Sequence, residues 1–267
     1  MKQLLKIVPL AFSSLLYSSL SLSATADAEP IKDSVGPGDS DSRWIVGATA
    51  YSIKSIYSGE GDITGVAPNL EYNGEKFFVK NGSLNFNIGQ YEQFTYGVTG
   101  RFASSLLADE EEYESNPLLA GINERNGSFE GGIYLNHTTD LGRFNLSVLN
   151  DFEGKHDGQT ATAQYTFDFK AGQWYINPTV GLSWSSGKKL DHLYGVSGLE
   201  TTATRAAYKP SSDVNLFAGV RARYEITDKW NFTAETGLTK LGSEIEDSPL
   251  IDEDLSYHGA FSLLYNF

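Results

Sequence analysis

Apolar and polar side chains alternate along most of the chain from Trp44 to Phe267, in runs that reach ten residues and more. In the clearest run, residues 174–185, every second side chain is apolar or proline, and that face begins and ends with a tryptophan. A period of two predicts β-strands, and runs of about ten residues match the length that a tilted strand needs to cross a bilayer. Aromatic residues at both ends of an apolar band are typical of two membrane–water interfaces.

Twelve segments carry this pattern: 44–56, 67–73, 76–81, 83–89, 93–104, 128–137, 142–153, 160–169, 173–186, 213–225, 230–241 and 255–267. Long polar stretches separate several of them, at 105–126, 187–212 and 242–254, with shorter ones at 57–66 and 154–158. Brief turns that alternate with longer external loops are typical of outer-membrane barrels. The sequence therefore predicts an all-β fold, a transmembrane antiparallel β-barrel of twelve strands, or of ten if two segments between 67 and 89 do not cross the membrane.

The first 26 residues have the parts of a secretory signal peptide. Two lysines precede an apolar run, and residues 24–26 offer a small-x-small cleavage site. Cleavage is expected after residue 26, with Ala28 as the alternative site. Residues 27–43 are rich in Asp, Ser, Gly and Pro and are predicted to be a flexible periplasmic leader. The barrel is assigned to residues 44–267.

Composition excludes several classes of function. The chain carries 20 Lys and Arg against 34 Asp and Glu, a formal net charge of −14 that argues against binding to nucleic acid. It contains no cysteine, which excludes disulfides and thiolate metal sites. After the first 26 residues, no uninterrupted apolar segment approaches the length of a transmembrane helix.

The last strand predicts how the chain enters the membrane. Its alternating apolar face consists of Phe261, Leu263, Tyr265 and Phe267. A terminal Phe preceded by such a face resembles the signal that is read by the outer-membrane assembly machinery. The last strand must also close against the first while its apolar face meets lipid. We therefore expect the assembly machinery, outer-membrane lipid and lipopolysaccharide as partners.

Charged residues within the predicted strands fall almost wholly on the inward face. Arg221, Arg223 and Glu225 lie on one strand and Glu235 on the next, and the short link between them places Arg221 opposite or diagonal to Glu235. Two interpretations stay open. The charges form either a structural ion pair that plugs a narrow barrel or a charged constriction that selects solutes.

The chain lacks a recognisable catalytic motif, such as G-x-S-x-G, H-E-x-x-H or a Gly-rich phosphate loop. His258 shares the predicted lumen face with Ser256 and Ser262, but the sequence supplies no orienting carboxylate, so we interpret it as a hydrogen-bonded lumen residue. Acidic clusters at 109–114 and 244–254 are interpreted as solvated loops, with bound divalent cations as the alternative. We assign no catalytic, cofactor-binding or metal-binding residue.

Motifs in the last 75 residues or so carry a family resemblance. They comprise Tyr194, Gly195, Val196, Ser197, Glu200, Tyr208, Asp247, Ser248 and Pro249. In these motifs the chain resembles the MipA/OmpV family of outer-membrane proteins, with weaker similarity at 57–59, 77–80 and 151–158. It departs from the family pattern at Lys80, where Arg is usual, and at residues 210–212, which replace a more glycine-rich turn.

The resemblance implies an integral outer-membrane protein of a Gram-negative bacterium. For one branch of the family it implies a scaffold between a lytic transglycosylase and a peptidoglycan synthase, and for another it implies porin-like, osmotic-stress or adhesion roles. Our leading hypothesis is a non-enzymatic barrel with a structural or scaffolding role in the cell envelope, whose periplasmic partners include peptidoglycan enzymes. A porin-like solute channel and a surface adhesin are the alternatives.

Overall fold

The computed structural model describes residues 44–267. The predicted signal peptide, residues 1–26, and the predicted leader, residues 27–43, lie outside the described residues. The strands are β1 (Trp44–Ile53), β2 (Ile63–Asn73), β3 (Phe77–Lys80), β4 (Ser83–Tyr91), β5 (Phe94–Ala103), β6 (Ser128–Thr139), β7 (Gly142–Asp151), β8 (Gln159–Phe167), β9 (Phe169–Ala171), β10 (Trp174–Ser185), β11 (Asp213–Glu225), β12 (Trp230–Lys240) and β13 (Leu255–Asn266). Three short helices lie in the loops: α1 (Glu110–Tyr113), α2 (Gly187–Tyr194) and α3 (Ser243–Glu246).

The strands form one closed antiparallel sheet. Neighbours in sequence pair with each other, and β13 pairs with β1 from Ile45↔Asn266 to Ile53↔His258, which closes the barrel. β8 and β9 both pair with β10 and are separated only by Asp168, so together they occupy one strand position. The prediction of twelve strands is thus confirmed, with one extra short segment, and the alternative of ten is wrong.

The second and third strands differ from the predicted bounds. Residues 57–66 were predicted to be a loop, but β2 already begins at Ile63. The alternation is weak there because the polar Thr64 interrupts the outward apolar face. β3 has only four residues, because the chain reverses at Asn81 and Gly82.

The outward face of the barrel is apolar, as a lipid-exposed surface requires. Three aromatic pairs stand near its periplasmic end: Trp44 with Tyr72 at 4.8 Å, Trp174 with Tyr224 at 4.8 Å, and Trp230 with Tyr265 at 5.0 Å between ring centroids. On β13, Phe261 and Leu263 are exposed on the lipid side, whereas Leu264 is buried on the inner side. Among residues 44–267, no helix is long and apolar enough to span a membrane.

Candidate functional site

The external loops pack into a hydrophobic core that we call the cap. Its buried members are Ile56, Tyr57, Leu107, Tyr113, Leu119, Ile122, Leu190, Tyr194, Val196, Leu241, Ile245, Leu250 and Ile251. They come from the loops β1–β2, β5–β6, β10–β11 and β12–β13, together with their short helices. Because these loops start at distant points around the barrel and meet in one core, they cross its external mouth. The cap therefore covers the mouth.

One carboxylate organises the centre of the cap. The two oxygens of Glu200 accept hydrogen bonds from the backbone N–H of Asn123 at 3.0 Å, its side-chain amide at 2.9 Å, Arg125 at 2.8 Å and the Ser197 backbone N–H at 2.8 Å. Burial opposes the charged form, but the N–H groups of Asn123 and Ser197 and the Arg125 guanidinium outweigh it and hold the pKa of Glu200 at about 2. Glu200 therefore joins the two longest loops as an anion.

An arginine that the sequence motifs did not single out completes this junction. The buried Arg205 donates to three backbone carbonyls: Glu200 at 2.8 Å, Leu118 at 2.8 Å and Ala120 at 2.9 Å. A guanidinium has five N–H donors in a fixed plane, which suits it to holding several carbonyls at once. In the sequence it stands out only as the single arginine of the loop 187–212.

The family-motif residues lie in two neighbouring loops of the cap. The Ser248 hydroxyl donates to the Tyr194 carbonyl at 2.6 Å, and the Tyr208 hydroxyl donates to the Glu244 carbonyl at 2.9 Å. Val196 and Tyr208 exchange two backbone hydrogen bonds. The motif residues therefore hold the cap together.

Three further motif positions have local backbone roles. A Cβ atom at Gly195 would lie 2.3 Å from the Asp191 carbonyl oxygen, so only glycine fits where α2 ends. The Asp247 N–H donates to the Ser243 carbonyl at 2.9 Å and closes α3, and Pro249 follows two residues later. These positions shape the loops and offer no reactive group.

A buried ion cluster fixes α2 to the barrel wall. Glu130 on β6 accepts hydrogen bonds from Arg101 on β5 at 2.9 and 3.2 Å and from Lys189 on α2 at 2.5 Å. Lys189 also donates to the Thr160 hydroxyl at 2.8 Å. Glu130 is only 2 % exposed and Lys189 7 %, so each charge depends on its partners for stabilisation. The pattern of inward polar residues did not identify this cluster, because the three charges are distant in sequence.

A serine, a histidine and an aspartate meet beside this cluster. Ser128 Oγ lies 3.1 Å from His156 Nε2, and Asp151 lies 3.8 Å from His156 Nδ1. However, the Gly158 backbone N–H donates to Nδ1 at 2.9 Å, so Nδ1 bears a lone pair and the ring proton sits on Nε2. In that tautomer the imidazole cannot accept the serine proton as a general base. The arrangement does not form a catalytic triad.

The predicted lumen charges come together on the inner wall. Arg221 lies directly opposite Glu235, with 2.8 Å between Arg221 Nε and a Glu235 oxygen. His258 Nε2 lies 3.6 Å from the other oxygen of Glu235, a carboxylate that the one-dimensional pattern did not reveal. Ser256 is turned away and donates to the Lys54 carbonyl at 2.8 Å, so His258 has no nucleophile beside it there.

The other two predicted lumen residues also pair. Arg223 and Glu225 are 3.7 Å apart on β11, and the Arg223 guanidinium lies 4.3 Å from the centre of the Tyr175 ring. The lumen charges are therefore mutually compensated.

The inward glycines accommodate neighbouring rings. A Cβ atom at Gly97 would lie 2.5 Å from the Tyr134 hydroxyl oxygen, and one at Gly181 would lie 2.4 Å from the Phe217 ring. Gly97 and Gly181 therefore let aromatic side chains lie flat against the wall. The free lumen is thus narrower than the small residues alone suggest.

The acidic loop residues are engaged within the loops. Lys240 donates to Glu246 at 2.6 Å and to Asp254 at 2.8 Å, and Lys54 lies 3.0 Å from Glu253. Within residues 44–267, no group of three His, Cys, Asp or Glu side chains is arranged to hold a metal ion. Three carboxylates of the cluster 244–254 are thus paired with lysines.

Comparison with known proteins places this architecture in a family. Residues 46–267 match the family model of MltA-interacting protein MipA. The outer membrane protein OmpV of Vibrio cholerae is 23 % identical over 85 % of this chain and 88 % of that protein, and the MltA-interacting protein of Escherichia coli K12 is 18 % identical over 89 % and 95 %. An outer-membrane channel structure from Pseudomonas putida F1 covers 87 % of this chain and 98 % of that chain at 10 % identity, with a TM-score of 0.41. The protein is thus an outer-membrane β-barrel, and the chain belongs to the MltA-interacting protein MipA family.

Proposed function

We propose that this protein is a closed, non-enzymatic structural barrel that serves as a scaffold in the outer membrane. The observation that supports this proposal is the cap. Four external loops share one hydrophobic core, and Glu200 and Arg205 join the two longest of them through hydrogen bonds. An open porin needs a water-filled path through its external mouth, and a packed core across that mouth opposes it.

The periplasmic side is the face that we propose for partners. A relative is named MltA-interacting protein, and that name supports a peptidoglycan-remodelling enzyme as the partner class for this chain. The available surface consists of the leader 27–43 and short turns such as residues 226–229. Such small polar elements favour a modest, transient interface over a large permanent one.

Conductance tests the closed barrel. We expect the mature protein, refolded into a planar bilayer, to produce no discrete conductance steps, because the cap blocks the lumen. The Arg221→Glu variant should be equally silent, and heat-modifiable gel migration should confirm that both are folded. Steps in the unaltered protein whose ion selectivity shifts in Arg221→Glu would replace the scaffold with the alternative of a solute channel.

Deletion of the leader tests the scaffold. We expect a chain that lacks residues 27–42 to fold as a barrel but to retain an MltA-type lytic transglycosylase several-fold more weakly in a pull-down. The matched control replaces these residues with a Gly/Ser linker of equal length, which keeps the spacing and removes the side chains. Equal retention by all three chains would exclude the leader from the interface.

A further inference from the structure

The barrel wall is interrupted on one side of its external half. β3 has four residues, and the hairpin that joins it to β4 turns at Asn81 and Gly82. Both residues have positive φ, 50° and 73°, the backbone of a two-residue type I′ turn for which Asn-Gly is the preferred sequence. The local sequence therefore ends this hairpin early, while the strands on either side continue.

The neighbouring strand is left with a free edge. Only Tyr72 and Asn73, at the periplasmic end of β2, pair with β3, although β2 has eleven residues and pairs with β1 along its length. On the far side of the hairpin, β5 continues to Ala103 beyond the first β4 pair, Ser83↔Arg101. The gap spans two strand positions, roughly 10 Å at about 4.8 Å per strand.

The gap is closed above by the loops. The Asn116 side-chain amide donates to the Ser58 carbonyl at 2.8 Å and to Glu60 at 2.7 Å, which connects the loop after β5 with the loop before β2. The opening is thus bounded by the β2 edge, the Asn81–Gly82 hairpin, the end of β5 and this loop contact. It lies below the cap, within the strand-forming part of the wall.

An open strand edge has a definite chemical requirement in a membrane. Every second residue of β2 from 63 to 71 directs its N–H and C=O toward the missing strand, and such groups cannot remain unpaired in hydrocarbon. Pro68 lies within this stretch, and proline is confined to edge strands because it lacks an N–H. Addition of a further β-strand is therefore disfavoured, and the edge requires water or a polar ligand group.

The side chains around the gap divide into two sets. Val66 and Leu70 on β2 and Leu84 on β4 are exposed on the lipid side. On the lumen side, Ala67 is small, and the Asn69 Oδ1 atom is buried without a hydrogen-bond partner among the described residues. The lipid side of the gap is therefore apolar, and its lumen side offers polar groups without a hydrogen-bond partner.

We propose that this gap is a lateral opening between the lumen and the outer leaflet, and that it takes a single-chain amphiphile such as a fatty acid. The alkyl chain lies along Val66, Leu70 and Leu84, and the carboxyl head accepts hydrogen bonds from the free backbone N–H groups of β2. A single chain fits the width of the gap. This inference is independent of the scaffold proposal, since a capped barrel retains the opening in its wall.

Fluorescence quenching tests the opening. The chain has no cysteine, so Asn69→Cys and Ser262→Cys each carry one thiol for a bimane label. Ser262 is the matched control because it faces the lumen on β13, which is paired on both sides, and lies only two strands away. The probe is stearic acid with a nitroxide on its chain, added to the full-length mature barrel in phosphatidylcholine vesicles.

We expect quenching at residue 69 to be about threefold stronger than at residue 262, because a closed wall keeps the probe about one sheet thickness away. Unlabelled stearic acid should reduce the quenching of the bimane at residue 69. A nitroxide attached to phosphatidylcholine should quench that bimane only weakly. Equal quenching at both positions would overturn the opening. Disulfide-linked dimers of Val66→Cys in the same vesicles would also overturn it, because a second copy would then occupy the edge.

Discussion

Replacing Glu130 with glutamine is expected to lower the free energy of unfolding by roughly 3–5 kcal/mol, the usual effect of removing one partner from a buried ion pair. The variant leaves Lys189 and Arg101 as two cations around a neutral amide, in a site where Glu130 is 2 % exposed. Urea titration of the barrel in lipid vesicles, followed by tryptophan fluorescence, measures the change.

Two variants separate this effect from a general loss of charge. Asp157→Asn removes a carboxylate that is mostly exposed and lies 4.0 Å from Lys188, and it should change stability by less than about 1 kcal/mol. Lys189→Met removes one cation and leaves the Glu130–Arg101 pair balanced, so it should cost less than Glu130→Gln. A Glu130→Gln variant as stable as Asp157→Asn would contradict the role of the cluster.

Replacing Glu200 with alanine is expected to open the cap. The carboxylate accepts four hydrogen bonds from Asn123, Arg125 and Ser197, and each bond to a charged group contributes about 1.5–3 kcal/mol. Their loss separates the loops before β6 and before β11, while the strands stay paired. In a planar bilayer the variant should show flickering conductance where the unaltered protein is silent.

The control for Glu200 is an exposed carboxylate of the same cap. Glu114→Gln removes one negative charge from the cap, as Glu200→Ala does, but Glu114 is an exposed residue of the loop before β6, so the variant should remain silent. If Glu200→Ala is silent as well, while limited proteolysis still finds its loops protected, the hydrophobic core alone closes the mouth.

Acid should have the same effect on the cap as the substitution. The pKa of Glu200 is about 2 in the folded protein, below the ordinary value of 4.5, so its ionised form stabilises the cap. That contribution is complete above pH 4.5 and is lost as the pH falls toward 2. We expect loop protection against pepsin to fall across this window, and the Glu200→Gln variant to lack that part of the pH dependence.

The barrel itself was predictable because membrane strands obey a strict one-dimensional rule. Alternation in segments such as 174–185 fixes which side chains meet lipid, and short turns such as 226–229 fix which strands pair. The pairing of Arg221 with Glu235 follows from the number of residues in that short turn, which sets the register of the two strands. Asn81-Gly82 is also a strong local hairpin signal, and it marks the end of the short third strand.

The family motifs could be recognised in the sequence, but the contacts that their residues make could not. Residues such as Glu200 and Ser248 stand in polar loops, where no periodicity indicates which backbone groups they reach. The structure brings them together in the cap, where their partners lie on other loops far away in sequence. Hydrogen bonds of this kind depend on loop conformation, which the spacing of residues does not encode.

The sequence by itself determined the fold class, limited the strand count to twelve or ten, and gave the lipid-facing side of strands such as 174–185, because the bilayer imposes a period of two and a minimum length. Only the tertiary structure decided that the loops share a core, that Glu130 joins Arg101 and Lys189, and that the wall is open beside β2. Each of these results from contacts between segments that are remote along the chain. Their energy depends on three-dimensional proximity and burial, which no local pattern records.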